Sequence, residues 1–316
     1  MANPSIVYFT RDLSPTGLQK AYERVNGTIT GKVGIKLHTG EPHGPNIIPA
    51  QWVKALMAAE PELRNASIVE TNTYYEGDRY TTEAHRKTLS INGWTFCPVD
   101  IMDEDGTVTL PIAGGKWMKE MSHGSHMPDY QSLVVLTHFK GHAMGGFGGS
   151  NKNIGIGCAD GRIGKKWIHT RSGSDDMWSI AQEELMERIT ESTKATIDFF
   201  GQHILYVNVM RNMSVSCDCE GIHAEPVVTP NVGILASNDI LAIDKASVDL
   251  IYAMKEEYRH ALVERIETRH GLRQLSCMKE MGMGNDDYLL IDIDNNDAPI
   301  STEGAVKDVV PFVMQS

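Results

Sequence analysis

Strand-length apolar runs alternate with helical patterns along almost the whole chain. Residues 6–9, 32–37, 66–70, 98–102, 133–136, 204–209, 232–236 and 288–293 read as strands. Leu133-Val134-Val135-Leu136 is continuously apolar, as expected of a strand covered on both faces. Between these runs, apolar residues recur at helical spacing. Leu18, Tyr22 and Val25 follow a Ser14-Pro15 start signal, and Trp52, Val53, Leu56 and Met57 share one face. A further helix is predicted over 81–91, a short one over 116–121, and one or two over 175–200 carrying Ile180, Leu185, Ile189 and Ile197. Asp239 reads as the cap of a last helix through Ile243, Val248, Ile251 and Tyr252. Strand–helix alternation of this kind predicts an α/β fold: a mostly parallel sheet with helices on both faces, in Rossmann-like layers. It is read as one domain over 1–316, or as two α/β lobes with a site between them.

The stretch 132–166, SLVVLTHFKGHAMGGFGGSNKNIGIGCADGRIGKK, organises the rest. Its apolar run turns polar at His138, Lys140 and His142, alternate positions that share a face if the strand continues. Gly145-Gly146-Phe147-Gly148-Gly149 and then Asn151-Lys152-Asn153 follow. Glycine at this density lets backbone N–H groups turn toward a bound group, and Lys140, Lys152, Lys165 and Lys166 add positive charge. The reading is an anionic-ligand or metal site at a strand end. Other strands also become polar where they stop, giving Lys36 and His38, Glu70 and Asn72, and Asn208. Ligands of open α/β sheets sit beyond the strand carboxyl ends, so these groups are expected to converge on one cleft. His38, His138 and His142 would be ligands or acid–base groups beside Lys140, and Lys36, Gly148, Gly149, Lys152 and Asn153 would hold the bound group.

Cys217-Asp218-Cys219 places two thiols within reach of one soft metal ion or cluster. Cys158 is the best third thiol, with His138, His142 or His223 as alternatives; merely reduced, buried thiols are the rival reading. Cys97 suits packing, and Asp244 suits buried hydrogen bonding near the site. His85, His169, His203, His260 and His270 are read as surface residues.

Composition narrows the partners. A formal net charge of −12 over 316 residues argues against a general nucleic-acid binder. No run reaches the ~18 apolar residues of a membrane span, and the N-terminus lacks a signal-peptide pattern. Five dispersed cysteines point to a reducing, cytoplasmic setting rather than a disulfide framework. The expected partner is a small anionic molecule, with an electron-transfer partner as the alternative.

Several segments together resemble the domain of unknown function 362 family. They are VGIKLHTGE, ETNTYYEGDRYTTEAH, THFKGHAMGGFGGSNKNIGIGCADGRIGK, VNVMRNMSVSCDCEG, VGILASNDILAIDKASVDL and MGMGNDDYLLIDI, in that order. Many members of that family carry a ferredoxin-like module binding two four-iron clusters. No Cys-x-x-Cys-x-x-Cys run occurs here, so the resemblance carries an iron–sulfur or metal role at most to Cys217, Cys219 and Cys158. At the level of fold, the His, Lys and glycine-loop combination is also similar to nickel-dependent lactate racemases. The expectation is a metal- or iron–sulfur-dependent enzyme, an oxidoreductase or isomerase, acting on a small anionic substrate. The alternatives are a redox partner using Cys217 and Cys219, or a non-catalytic ligand-binding protein.

Overall fold

In the computed structural model, which describes residues 3–171 and 174–313, the strands form one nine-stranded sheet. Across it run Ala298–Pro299, Tyr288–Asp292, Ser5–Thr10, Gly233–Ser237, Ile204–Met210, Ser132–His138, Val33–Lys36, Ser67–Glu70 and Val99–Ile101. Five pairings are parallel and three antiparallel, so the α/β, mostly parallel expectation is met. Every residue of Ser132–His138 and Ile204–Met210 is buried, which is why these segments are so uniformly apolar. Val134 and Leu136 pack to one side with Ile35, Leu56 and Tyr22; Leu133 and Val135 pack to the other with Ile243 and Ile251.

Gly233–Ser237 departs from the parallel pattern, running antiparallel to both neighbours. A parallel strand needs a crossover to return the chain to the opposite edge. The connection after Met210 holds only a 3-10 turn at Asp218–His223, so the chain turns back where it left the sheet. That turn-back keeps the two thiols at the carboxyl edge of Ser132–His138 and Ile204–Met210.

One local prediction fails for an identifiable reason, and a second holds over most of its length. Residues 116–121 are not a helix: the backbone N–H groups of Lys116, Trp117 and Met118 donate to the Glu191 carboxylate, and the chain enters the strand Glu120–Gly124. The pattern over 175–200 becomes helical only at Gln182–Phe200. Among the described residues no helix is long and apolar enough to cross a membrane.

Candidate functional site

A cavity of about 410 Å³ opens at the carboxyl ends of Val33–Lys36, Ser67–Glu70 and Ser132–His138. Of the residues singled out from sequence, Lys36, His38, His138, Lys140, His142, Gly148, Gly149, Lys152, Asn153 and Cys219 line it. Cys217 is 1% exposed and buried beside Cys219. The convergence expected from the strand ends is therefore present for Lys36, His38, Glu70, His138, Lys140 and His142, but Asn72 and Asn208 do not line the cavity, and the individual residues do different work.

Past His138 the chain leaves the main sheet, and Lys140–His142 pairs with Gly146–Gly148 in a small separate ribbon. His138, Lys140 and His142 nevertheless all meet the segment 217–219. His138 Nδ1 lies 2.9 Å from Asp218, and its Nε2 lies 2.7 Å from the Arg211 carbonyl oxygen. Both partners are acceptors, so the ring donates on both sides and has no lone pair for a metal or a substrate proton. His138 is thus a strut, contrary to its assignment as ligand or base. Lys140 Nζ pairs with the same carboxylate at 2.9 Å. Burial alone would raise the Asp218 pKa, but His138 and Lys140 together hold it well below the usual carboxylate range.

Cys217 sits among donors. The Cys219 N–H lies 3.4 Å from Cys217 Sγ and Lys152 Nζ lies 4.0 Å from it. A hydrogen bond from the Cys219 thiol, with Lys152 and His142 nearby, outweighs burial and holds the Cys217 pKa well below that of a free thiol. The shared proton then stays on Cys219, whose pKa rises. Two histidines complete the shell. His142 Nδ1 accepts the backbone N–H of Gly145 at 2.8 Å and of Met144 at 3.2 Å, and His38 Nδ1 accepts that of Gly40 at 3.0 Å. Each neutral ring therefore carries its proton on Nε2, and both side chains hydrogen-bond Cys217. Burial, then the Arg79 charge at His38 and the Lys152 charge at His142, lowers both ring pKa values.

On the opposite wall, Lys36 Nζ pairs with Glu70 at 2.8 Å and Glu70 also accepts the Thr39 N–H at 3.0 Å. Burial would raise the Glu70 pKa, but Lys36 and Arg79 drive it far down. Arg79 in turn donates to Glu41 at 2.9 Å and to the Tyr75 hydroxyl at 2.9 Å. Lys36, expected to bind a cofactor, is already neutralised by the protein. Asn153 Nδ2 is likewise committed, to Thr137 Oγ1 at 2.9 Å and to the Leu136 carbonyl at 3.2 Å.

Gly148 and Gly149 lead into the helix Ser150–Gly157, whose first N–H groups would suit an anion. The protein supplies that anion itself. Asp244 accepts from Ser150 N at 2.7 Å and Asn151 N at 2.9 Å. A Cβ on Gly149 would lie 2.5 Å from Asp244 Oδ1, so this glycine admits the carboxylate rather than a ligand.

The helix Gly164–His169 contributes Lys165, which the sequence reading expected to add positive charge here, and His169, which it did not place here. Lys165 and His169, four residues apart and so on one face, both line the cavity. His169 and His85 are buried, at 9% and 0% exposure, and not on the surface as expected. Helical spacing from Lys165 was the available signal for His169.

His142, Cys217 and Cys219 place potential ligand atoms within 4.8 Å of one another. The two thiols suit a soft cation. His142 as placed does not, because metal-bound imidazoles donate from their second nitrogen, whereas here that nitrogen accepts two N–H groups. Cys158 is not the third thiol: it is fully buried near Lys36, Glu70 and Lys165, outside the cluster, and burial pushes its pKa up to about 12.

Residues 33–249 match the family described as "Domain of unknown function (DUF362)". No curated protein matches the chain. Among solved structures, the lactate racemase apoprotein of Thermoanaerobacterium thermosaccharolyticum is similar at 12% identity and a TM-score of 0.42, over 76% of this chain and 55% of that one. A structural-genomics target from Thermotoga maritima is similar at 12% identity and 0.42, over 81% of this chain and 58% of that one. This chain spans little more than half the length of either.

Proposed function

The chain belongs to the DUF362 family, and from that premise we propose that it is an enzyme acting on a small anionic substrate through its paired thiols. One observation carries this reading. Among the described residues, five cationic side chains, Lys36, Arg79, Lys140, Lys152 and Lys165, and two carboxylates, Glu70 and Glu220, line a cavity of about 410 Å³ that also exposes Cys219. That volume suits a small molecule.

The roles follow from which charges are already spent. Lys36, Arg79 and Lys140 are paired with carboxylates, whereas Lys152 and Lys165 form no ion pair among the described residues. Of these two, Lys152, whose near partner is the Cys217 thiolate 4.0 Å away, is the cation we assign to hold the substrate's charge. Cys217, kept anionic by its donors, accepts the Cys219 proton when substrate arrives, and Cys219 then meets the substrate as a thiolate.

A second reading is favoured by the 4.8 Å cluster of His142, Cys217 and Cys219: a soft metal ion held by the two thiolates. Such an ion would supply Lewis-acid chemistry. His142 could join it only after its ring turns and releases the Gly145 N–H.

Alkylation separates the two. Iodoacetate, itself a small anion, should modify Cys219 faster than neutral iodoacetamide, and Lys152→Met should remove that preference. Equal rates in the wild type would overturn the anion-site reading. Stoichiometric zinc uptake that protects both thiols would favour the metal reading.

A further inference from the structure

We propose that Lys165 is a carbonyl-binding amine, forming an imine with a small 2-oxo acid in the cavity, with His169 one turn along as its proton carrier. The inference rests on the cavity being a substrate site and adds the substrate class.

Lys165 differs from the other buried lysines of the cavity. Lys36 and Lys140 each face a carboxylate, at 2.8 and 2.9 Å. Lys165 Nζ instead donates to Thr71 Oγ1 at 2.7 Å and to the Asn72 carbonyl oxygen, with the Thr71 carbonyl oxygen 3.4 Å away. All three are neutral, and among the described residues Lys165 forms no ion pair. The titratable and charged groups around it are Asp103 and Glu70, which support its charge, Arg79 and Lys36, which oppose it, and the neutral His85. The buried Cys158 thiol is also close. Burial prevails over the two carboxylates, with Arg79 and Lys36 adding to it, and the Lys165 pKa falls to about 8. Roughly a tenth of the amine is then unprotonated at pH 7, against less than about a thousandth of an ordinary lysine, and the free amine is the state a nucleophilic lysine requires.

His169 has the opposite tautomer to His38 and His142. Its Nδ1 lies 2.8 Å from the Lys165 carbonyl oxygen, so Nδ1 carries the proton. The Nε2 lone pair is then free: among the described residues nothing hydrogen-bonds it, and the residue lines the cavity. Burial lowers its pKa to about 4, so the ring is neutral. One short helix therefore presents an unneutralised amine and an unprotonated imidazole to the same space.

The chemistry balances without a further reactant. Lys165 Nζ attacks the carbonyl carbon, a C–N bond forms, and the carbonyl oxygen leaves as water with the two amine protons, one of them carried by His169. A 2-oxo acid supplies the carbonyl for Lys165 and a carboxylate for Lys152.

The test uses the full chain with glyoxylate and cyanoborohydride, whose hydride reduces any imine to a stable carboxymethyl-amine, followed by peptide mapping. At pH 8 Lys165 should be modified well ahead of exposed lysines such as Lys54 and Lys87, since its free-amine fraction is roughly a hundredfold larger than at an ordinary ~10.4. Trapping should rise through about pH 8, slow in His169→Gln, and vanish from the cavity in Lys165→Arg. Modification spread over exposed lysines with Lys165 spared would overturn the inference. If Lys165 is spared while iodoacetate still prefers Cys219, the imine fails and the thiol reading stands. If Lys165 is trapped and that preference is absent, the reverse holds.

Discussion

His142 Nδ1 accepts the backbone N–H of Gly145 at 2.8 Å, and that contact decides what the other nitrogen can do. A neutral imidazole that accepts at one nitrogen must donate at the other. Long-range ¹H–¹⁵N correlation should therefore show His142 and His38 protonated on Nε2 and His169 protonated on Nδ1. A Nδ1-protonated His142 would put its lone pair toward the thiols and restore the three-ligand metal site.

The Cys217 thiolate should be visible directly. Thiolate ultraviolet absorbance at pH 7 should register about one thiolate, abolished in Cys217→Ser. In Lys152→Met its titration should move up by about one to three pKa units, the usual effect of a nearby opposite charge. An unchanged titration would mean that Lys152, 4.0 Å from Sγ, contributes nothing.

Glu70→Gln should cost about 3–5 kcal/mol by denaturant unfolding, because it leaves Lys36 buried without its anion. Replacing Lys36 by Met in the same variant should recover part of that loss. A single-variant cost within about 0.5 kcal/mol, typical of an exposed site, would contradict the buried pair.

Acid should destabilise the protein in two stages. His85, His123 and His169 are held neutral by burial, with pKa values of about 3, 4 and 4. A histidine whose folded pKa is depressed is protonated more readily when unfolded, so stability falls as pH drops from ~6.5 toward those values. Glu70 and Asp218, also depressed, add their loss below ~4, where the unfolded carboxylates take up protons. In His169→Gln the upper stage should shrink. A flat stability profile between pH 7 and 5 would refute the neutral histidines.

Gly149→Ala should destabilise by more than about 1 kcal/mol, through overpacking against Asp244. Asp244→Ala should cost about 1–3 kcal/mol by stranding the Ser150 and Asn151 N–H groups. The two changes should not add, because the smaller residue removes the clash. Simple additivity would mean that the glycine and the carboxylate do not touch.

The polar strand ends were legible as a meeting place because a parallel sheet sends all of them to one edge. His38, Lys140 and His142 were found that way, and so was the link to Cys217 and Cys219. His85 and His169 were misread because helical burial depends on what packs above the helix. Cys158 was misread because proximity to a glycine segment in sequence says nothing about which wall its thiol joins.

The chain's own pattern of apolar and polar residues determined the α/β class, the parallel core and the edge at which functional groups gather, since periodicity is a local property of three or four neighbouring residues. Tertiary structure decided which charges are paired and which are spare. Asp218 stands 80 residues from His138, and Asp244 stands 94 from Ser150. At His38, His142 and His169 the tautomer is set by backbone atoms two to four residues away, whereas the charges of Lys36 and Lys140 are met by carboxylates that arrive from distant parts of the chain.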